Sequence, residues 1–335
     1  MAQTIRDVAR EAGVSQATAA RALAGYGYVA DRTRRRVQDA AVAIGYQPNG
    51  LARALVSGAT KTIGLVVGDI ENPFFATAAR GLADALEPEG YTVVLANSDE
   101  QLEREERVVQ ALRQRLVDGL VVVPSSGDDG GHLAAIMADG RPVVLLDRAI
   151  RGLGADAVLV DNASGAETAM RHLIELGHHR IGIVSDSPGI ASTAERLAGC
   201  RSALRRAGIA WDDDLVSIGG SSQADGYSTA RALLISRRRP TAVFTLSNFM
   251  TAGTVRALRD LGLAMPVDVA LVGFDDLDWT TLVEPPISVV AQPVSELGRA
   301  VGERLLARLG GDLSPPIEVR LHTRLIVRRS CGGAP

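Results

Sequence analysis

Polar and aromatic side chains follow several short apolar runs of the sequence, at the points where strands would end. Carboxylates, guanidinium groups and amides can hold vicinal hydroxyls, and aromatic faces can cover the C–H surface of a ring. This combination of residue types suits a polyhydroxylated ring such as a sugar. The candidate ligand-binding residues are Asp69, Asn72, Phe74, Phe75, Asp147, Arg148, Arg196, Ser247, Asn248, Asp275 and Gln292.

Each type of candidate has an ordinary structural alternative. Phe74 and Phe75 begin a predicted helix, so one of them can pack in a core instead of touching a ligand. Asp147 and Arg148 can form a local ion pair, and Asp275 can cap a helix. The histidines of HLIELGHHR have no carboxylate or cysteine at chelating spacing, and histidines at helix ends commonly bind carbonyls. We therefore expect neither a metal nor another cofactor.

The elements that must position these side chains form a repeating pattern from residue 62 onward. Short apolar runs alternate with longer amphipathic helical patterns, which indicates parallel strands with helices on both faces. The runs fall into two sets of four, which predicts two doubly wound α/β lobes with a ligand cleft at the carboxyl ends of their strands. The runs are TIGLVVG, YTVVLAN, GLVVVP, PVVLLD, RIGIVSD, TAVFTL, VALVGF and ISVV.

The N-terminal 58 residues differ in charge from the rest of the chain. They contain eight arginines, no lysine and four acidic residues, whereas the whole chain of 335 residues carries a net charge of −3. The head is therefore basic and the remaining body acidic. The run DRTRRR alone could be a solvated helix face, but a small basic head favours a nucleic-acid partner.

The stretch AGVSQATAARAL has the features of a helix-turn-helix, a motif whose second helix enters the major groove of DNA. Gly13 supplies the turn and Ser15 is a candidate N-cap for the second helix. Gln16, Ala17 and Arg21 then face the base edges, where glutamine can pair with adenine and arginine with guanine. A small amphipathic helix pair would explain the apolar spacing but not Gln16 and Arg21.

The segment NGLARALVSGATK, residues 49–61, is too short and too weakly apolar to be a stable isolated helix. It is typical of a linker that becomes ordered only on binding. Leu55 is its prominent large apolar residue, and an apolar wedge inserted between minor-groove base steps would use it.

The order of motifs along nearly the whole chain resembles the lactose/galactose repressor (LacI/GalR) family. The motifs include TIRDVAREAGVSQATAARAL, VADRTRRRVQDAAVAIGYQPNGLARAL, TKTIGLVVGDIENPFFA, HLIELGHHRIGIVS, MPVDVALVGFDD and LIVRRS. The resemblance implies a dimeric bacterial transcription factor that binds a near-palindromic double-stranded operator, with Leu55 in the minor groove. It also implies base contacts from Gln16, Ala17 and Arg21, and phosphate contacts from Thr4, Ser15, Thr18 and Asn49.

The pieces NPFF, DR, ER, FD and Q resemble the pocket of ribose-type periplasmic binding proteins, which are relatives of these repressor cores. One element departs from the family pattern, because Ser247-Asn248 stands where Asn-Asp is usual. Replacing a carboxylate with an amide changes which hydroxyl pattern a pocket accepts. The sequence therefore predicts a sugar or a sugar derivative without identifying it.

These observations predict a helix-turn-helix domain at 1–48, a hinge and linker at 49–61 and a two-lobed effector-binding and dimerisation domain at 62–335. Lobe 1 is expected at about 62–160 plus 291–320, and lobe 2 at about 161–290 plus 321–330. The C-terminus has no heptads, so a homodimer is expected. The N-terminus has no apolar signal region and no stretch is long enough to span a membrane, so we expect a cytoplasmic protein.

Two other functions use a similar body. A nucleotide-dependent enzyme is disfavoured because no phosphate-binding glycine motif follows the first strand and no nucleophile elbow or acid–base pair is evident. A periplasmic sugar receptor would share the cleft but would need an export signal and has no use for residues 1–58. The expected function is thus an effector-switched transcriptional repressor and not an enzyme.

Overall fold

A computed structural model describes residues 3–24, 27–46 and 59–333 of the chain. The helices in chain order are α1 (Ile5–Glu11), α2 (Gln16–Ala24), α3 (Asp31–Ala43), α4 (Pro73–Leu86), α5 (Leu102–Gln114), α6 (Gly131–Ala138), α7 (Asn162–Glu175), α8 (Ala191–Arg206), α9 (Gln223–Leu234), α10 (Asn248–Asp260), α11 (Trp279–Leu282) and α12 (Val294–Leu309). Short 3-10 helices occupy Glu87–Glu89, Asp213–Leu215 and Arg329–Cys331.

The strands are β1 (Thr62–Val67), β2 (Thr92–Asn97), β3 (Gly119–Val122), β4 (Val143–Leu146), β5 (Asp156–Val160), β6 (Ile181–Ser185), β7 (Val216–Ile218), β8 (Ala242–Thr245), β9 (Ala270–Phe274), β10 (Ser288–Ala291), β11 (Glu318–Leu321) and β12 (Arg324–Ile326).

The head consists of α1, α2 and α3 packed around a small apolar core. Val8, Ala19 and Val37 contribute one fully buried side chain from each helix. Gly13 has φ +61° in the turn between α1 and α2, a conformation that glycine adopts without a steric penalty. The predicted helix-turn-helix is confirmed.

The body is built on two six-stranded sheets. Lobe 1 has the strand order β11-β5-β4-β3-β1-β2, and lobe 2 has the order β12-β10-β9-β8-β6-β7. All pairings are parallel except that of β10 with β12. Apolar clusters lie on both faces of each sheet, so the central strands are buried on both sides. The predicted pair of doubly wound lobes is confirmed.

The chain crosses between the lobes three times, from β5 to α7, from β10 to α12 and from β11 to β12. Helices close to these crossings pack with almost no gap. A Cβ on Gly298 would lie 2.1 Å from the carbonyl oxygen of Ala78, and one on Gly199 would lie 2.2 Å from that of Ala163. Glycine therefore permits the tight α4–α12 and α7–α8 contacts that fix the strand-end loops beside the crossings.

The linker joins lobe 1 at an acidic side chain. Asp118 accepts hydrogen bonds from the backbone N–H groups of Thr60 at 2.7 Å and Lys61 at 2.9 Å. These bonds fix the point at which the chain enters β1. Across the described ranges, no helix combines the length and the apolar character needed to cross a membrane.

Candidate ligand cleft and nucleic-acid interface

The carboxyl ends of the two sheets enclose a cleft of about 570 Å³. This volume lies within the range of roughly 300–1,000 Å³ that is usual for small-molecule sites. The sequence-predicted ligand residues that line it are Asp69, Asn72, Phe74, Phe75, Asp147, Arg148, Arg196, Ser247, Asp275 and Gln292.

The lobe 1 wall of the cleft carries Asp147 and Arg148 directly after β4. Both are buried, and Asp147 has φ +67°. The guanidinium Nη2 donates to Oε1 of Glu100 at 2.8 Å, and Nη1 donates to the other oxygen of the same carboxylate. Burial lowers the pKa of Arg148, but the hydrogen bonds and charge of Glu100 outweigh this effect and raise it above the usual value. Arg148 is therefore a fixed cation.

The cleft lining includes two buried carboxylates with shifted pKa values, Asp147 in lobe 1 and Asp186 in lobe 2. Burial raises the pKa of both above the usual value for aspartate, although Arg148 and Arg196 oppose the effect. Asp186 follows β6 and accepts a hydrogen bond from the Thr193 hydroxyl at 2.5 Å. Carboxylates with shifted pKa values cluster at functional sites, so these two residues are candidates for contact with a ligand.

Arg196 is held rigidly on the lobe 2 wall by α8. Its Nε donates to Oδ1 of Asn162 at 2.8 Å and its Nη1 to the Leu246 carbonyl at 2.6 Å. The guanidinium carbon lies 3.7 Å from the centre of the Phe274 ring. A side chain fixed by two hydrogen bonds and a stacked ring presents its remaining donors without a further ordering cost.

Asp275 and Asn248 take part in a hydrogen-bonded link between the lobes. Asp275 accepts from Nε2 of Gln292 at 2.5 Å and from Nδ2 of Asn248 at 2.9 Å. The same Asn248 nitrogen donates to Oδ1 of Asn72 in lobe 1 at 3.0 Å. Asn248 does not line the cleft, because its amide is turned toward these two partners. The structure thus gives Asn248 a bridging position behind the wall.

The two phenylalanines pack edge to face at the start of α4. Their ring centres are 5.2 Å apart with an interplanar angle of 84°. Both line the cleft and both belong to the apolar cluster of lobe 1. Each phenylalanine therefore packs in the core of lobe 1 and also lines the cleft, so the two alternatives do not exclude each other.

Several buried polar atoms of the cleft have no hydrogen-bond partner among the described residues. They are Asp147 Oδ1, Arg148 Nε, Ser247 Oγ and Gln292 Oε1. Buried polar atoms are nearly always hydrogen-bonded in folded proteins, so unsatisfied atoms in a cavity indicate a polar ligand. Of these four atoms, the Asp147 and Gln292 oxygens accept hydrogen bonds, the Arg148 nitrogen donates, and the Ser247 hydroxyl can do either.

The head presents its candidate base-reading residues at the start of α2. Gln16 and Ala17 are exposed, and Arg21 is half-buried with its Nε 3.3 Å from the Ala17 carbonyl. The Ser15 hydroxyl caps the helix by accepting from the Thr18 N–H at 3.1 Å.

The other candidate DNA contacts lie in different surroundings. The Thr4 hydroxyl donates to Asp7 at 2.7 Å at the start of α1. Asn49 and Leu55 lie outside the described residues. No group of three or more potential metal ligands occurs in residues 3–24, 27–46 and 59–333.

Comparison with known proteins gives two family matches. Residues 4–49 match the model of the bacterial regulatory proteins of the lacI family, and residues 170–331 match a periplasmic binding protein-like domain. The HTH-type transcriptional regulator PtxS of Pseudomonas aeruginosa strain PAO1 is 38% identical over 98% of this chain and 95% of its own length. The chain belongs to the LacI family.

Solved structures of the family extend this likeness. The lac repressor dimer bound to operator has 25% identity and a TM-score of 0.88 over 99% of both chains. The transcriptional regulator CelR in complex with cellobiose has 33% identity and a TM-score of 0.75 over 98% of this chain and 99% of that one. This LacI-family chain is therefore a DNA-binding transcriptional regulator and not an enzyme, and the receptor alternative is set aside.

The cleft of this LacI-family chain also contains polar residues that the sequence reasoning missed. Asn97 is the last residue of β2, and Asp99 and Glu100 follow it, while Asp186 follows β6 and Thr193 lies on α8. The signal was the same strand-end position that identified the other candidates. The same signal is present at the ends of β2 and β6.

Proposed function

We propose that this LacI-family regulator is a repressor switched by a polyhydroxylated effector, a sugar or a sugar derivative, bound between the lobes. The observation that carries the proposal is the set of buried, unsatisfied polar atoms on Asp147, Arg148 and Gln292 in a cleft that is also lined by two aromatic rings. Hydroxyl groups can both donate and accept, so a sugar satisfies all three atoms at once. The ring pair supports the C–H face of such a ligand.

For DNA recognition, we propose that α2 lies in the major groove with Gln16, Ala17 and Arg21 at the base edges. Exposure of Gln16 and Ala17 at the helix start supports this assignment. The phosphate contacts are assigned to Thr4, Ser15, Thr18 and Asn49, and the minor-groove wedge to Leu55. These assignments rest on the resemblance to the family and on the exposed N-terminus of α2.

The domain boundaries and the assembly belong to the same proposal. A helix-turn-helix at 1–48, a linker at 49–61 and a two-lobed domain at 62–335 assemble as a cytoplasmic homodimer on a near-palindromic operator. The lac repressor dimer bound to operator, which aligns over the whole chain, supports this arrangement. An effector that binds open and closed cleft states differently then changes operator affinity through the linker.

The proposal is tested by thermal unfolding of the full-length protein against pentoses, hexoses and their derivatives. A ligand that binds only the folded state raises Tm in a concentration-dependent manner. A sugar that raises Tm for the wild type but not for Asp275→Asn supports the assignment of the cleft. If purines raise Tm and every sugar fails, the effector class proposed here is wrong.

A further inference from the structure

The carboxylate of Glu100 binds the guanidinium group of Arg148. The two terminal nitrogens of the guanidinium are both bound to the two oxygens of this one carboxylate. The Pro124 carbonyl accepts a further hydrogen bond from Nη1 at 3.3 Å. Such a two-point pair is the geometry in which arginine also recognises a ligand carboxylate or phosphate. Glu100 thus fills the position that an anionic ligand would take.

The backbone around Glu100 is shaped to hold its carboxylate in this position. Asp99 and Glu100 both have left-handed backbone conformations, with φ +51° and +56°. The Glu100 N–H donates to the carbonyl of Gly68 at 3.0 Å. A Cβ on Gly68 would lie only 2.1 Å from Oε1 of Glu100, so the absence of a side chain there makes room for the carboxylate. Two consecutive left-handed residues are costly unless the surrounding structure fixes them.

The charges that line the cleft also disfavour an anionic ligand. Eight carboxylates and two guanidinium groups line it among the described residues. Asp147, Asp186 and Asp275 are buried within this lining, where their fields are poorly screened by solvent. Arg196 donates two hydrogen bonds to neutral acceptors, Oδ1 of Asn162 and the carbonyl of Leu246. The charge of Arg148 is paired with the Glu100 carboxylate, and the charge of Arg196 acts on the buried carboxylates of Asp147 and Asp186.

We propose that Glu100 is a specificity-determining residue that restricts the effector to neutral or amine-bearing polyols and excludes sugar acids and sugar phosphates. This inference rests on the proposed function of the cleft as a sugar site. The open acceptors of Asp147 and Gln292 favour ligands rich in hydrogen-bond donors. A ligand carboxylate would have to displace Glu100 from Arg148 and then lie among buried carboxylates.

The test compares full-length wild type with Glu100→Gln, which keeps the shape of the side chain and removes its charge. Glu103→Gln is the matched control, since Glu103 is exposed and lies outside the cleft lining. The double variant Glu100→Gln/Arg148→Gln shows whether any gain passes through Arg148. Gly68→Ala displaces the carboxylate without removing it, so it provides a second route to the same effect.

Affinities are measured by calorimetry at constant ionic strength for matched neutral and anionic probes. The sugar pairs are D-ribose with D-ribonate, D-glucose with D-gluconate and D-glucose 6-phosphate, and D-galactose with D-galacturonate. D-glucosamine is the cationic member, and malonate is an anion without a sugar. Circular dichroism and Tm confirm that each variant is folded.

The expected result is that wild type binds the neutral or cationic member of a pair and not the anionic one. In Glu100→Gln the ratio of anion to neutral affinity rises by about tenfold or more, malonate binding appears, and both gains disappear in the double variant. Gly68→Ala is expected to shift the ratio in the same direction. Glu103→Gln leaves it unchanged.

Two outcomes overturn the role of Glu100. One is a wild type that binds an anionic member more tightly than its neutral partner. The other is a folded Glu100→Gln variant that gains no more affinity for malonate than Glu103→Gln does. If no sugar binds any variant but Glu100→Gln still gains malonate, the role of Glu100 stands and the proposed sugar function fails.

Discussion

Replacing Asp147 with asparagine is expected to have opposite effects on the stability of the protein and on its affinity for the effector. Asp147 is buried, one of its carboxylate oxygens has no partner and the other lies 3.4 Å from Nε of Arg148. Asparagine has nearly the same shape and tolerates the left-handed backbone of this position, φ +67°. The substitution Asp147→Asn therefore removes a buried charge with little change in packing.

The sign of the stability effect follows from the raised pKa of Asp147. A group whose pKa is higher in the folded state stabilises the fold below its unfolded pKa and loses that contribution as the pH rises through its folded pKa. Ionisation of Asp147 thus lowers the free energy of unfolding. Removing this charge is expected to stabilise the ligand-free protein by about 1 kcal/mol, which corresponds to a rise in Tm of roughly 1–2 °C for a chain of 335 residues.

The effector is expected to bind more weakly to the same variant. A hydrogen bond to a charged group contributes about 1.5–3 kcal/mol, which corresponds to an affinity loss of roughly 10- to 150-fold. Scanning calorimetry without ligand and titration calorimetry with the effector measure the two effects. Asp128→Asn is the control, because the Asp128 side chain is exposed and pairs only with Arg151 at the surface.

A lower Tm for Asp147→Asn at pH 7, with Asp128→Asn unchanged, would refute this reasoning. It would show that the ion pair of Asp147 with Arg148 stabilises the fold by more than burial of the carboxylate destabilises it. The difference between Asp147→Asn and wild type is also expected to shrink as the pH falls toward 4, since wild type then takes up a proton at Asp147.

Three further substitutions test separate parts of the protein. Arg196→Ala is expected to abolish the effector-induced rise in Tm while leaving operator affinity without effector intact, and loss of both in parallel would contradict the assignment. Asp156→Asn is expected to lower the free energy of unfolding by about 3–5 kcal/mol in urea titrations, because the buried carboxylate pairs with Arg308 at 2.6 Å and lies 2.9 Å from Arg304. Burial tends to raise the pKa of Asp156, but hydrogen bonds from Arg308 and a backbone N–H hold it below the usual value, so this contribution is present above about pH 4 and is lost as the pH falls further. Gln16→Ala is expected to reduce operator affinity by about 1–3 kcal/mol and to relax the preference at one base pair in a binding-site selection, without changing effector affinity.

Much of the cleft could be predicted because parallel strands carry their loops to a common edge. Asp147 and Asp275 follow β4 and β9 directly, and an apolar run followed by a carboxylate is visible in the sequence. Glu100 was harder to identify because it lies three residues beyond the end of β2. Its position depends on Gly68 and Arg148, which come from two other strands. A contact among residues from three separate loops leaves no recognisable pattern in the local sequence.

Several strands could not be predicted from the sequence, for similar physical reasons. β7, β11 and β12 are short edge strands or lie beside charged residues, so they lack the continuous apolar run that marked the central strands. β5 is the exception, because it has such a run and could be predicted from the sequence. Asn162 begins α7 and looks like part of an ordinary helix start, yet its amide orients Arg196 across a helix pair.

The central claim is that ligand binding in the cleft changes the affinity of the head for DNA. Its most direct test is a titration of full-length protein against an operator duplex obtained by binding-site selection, with and without a saturating effector identified by thermal shift. The account predicts a near-palindromic site, an affinity that falls steeply with salt, and a change of about 5- to 150-fold on adding effector. An effector that binds with clear heat yet leaves operator affinity unchanged would contradict it.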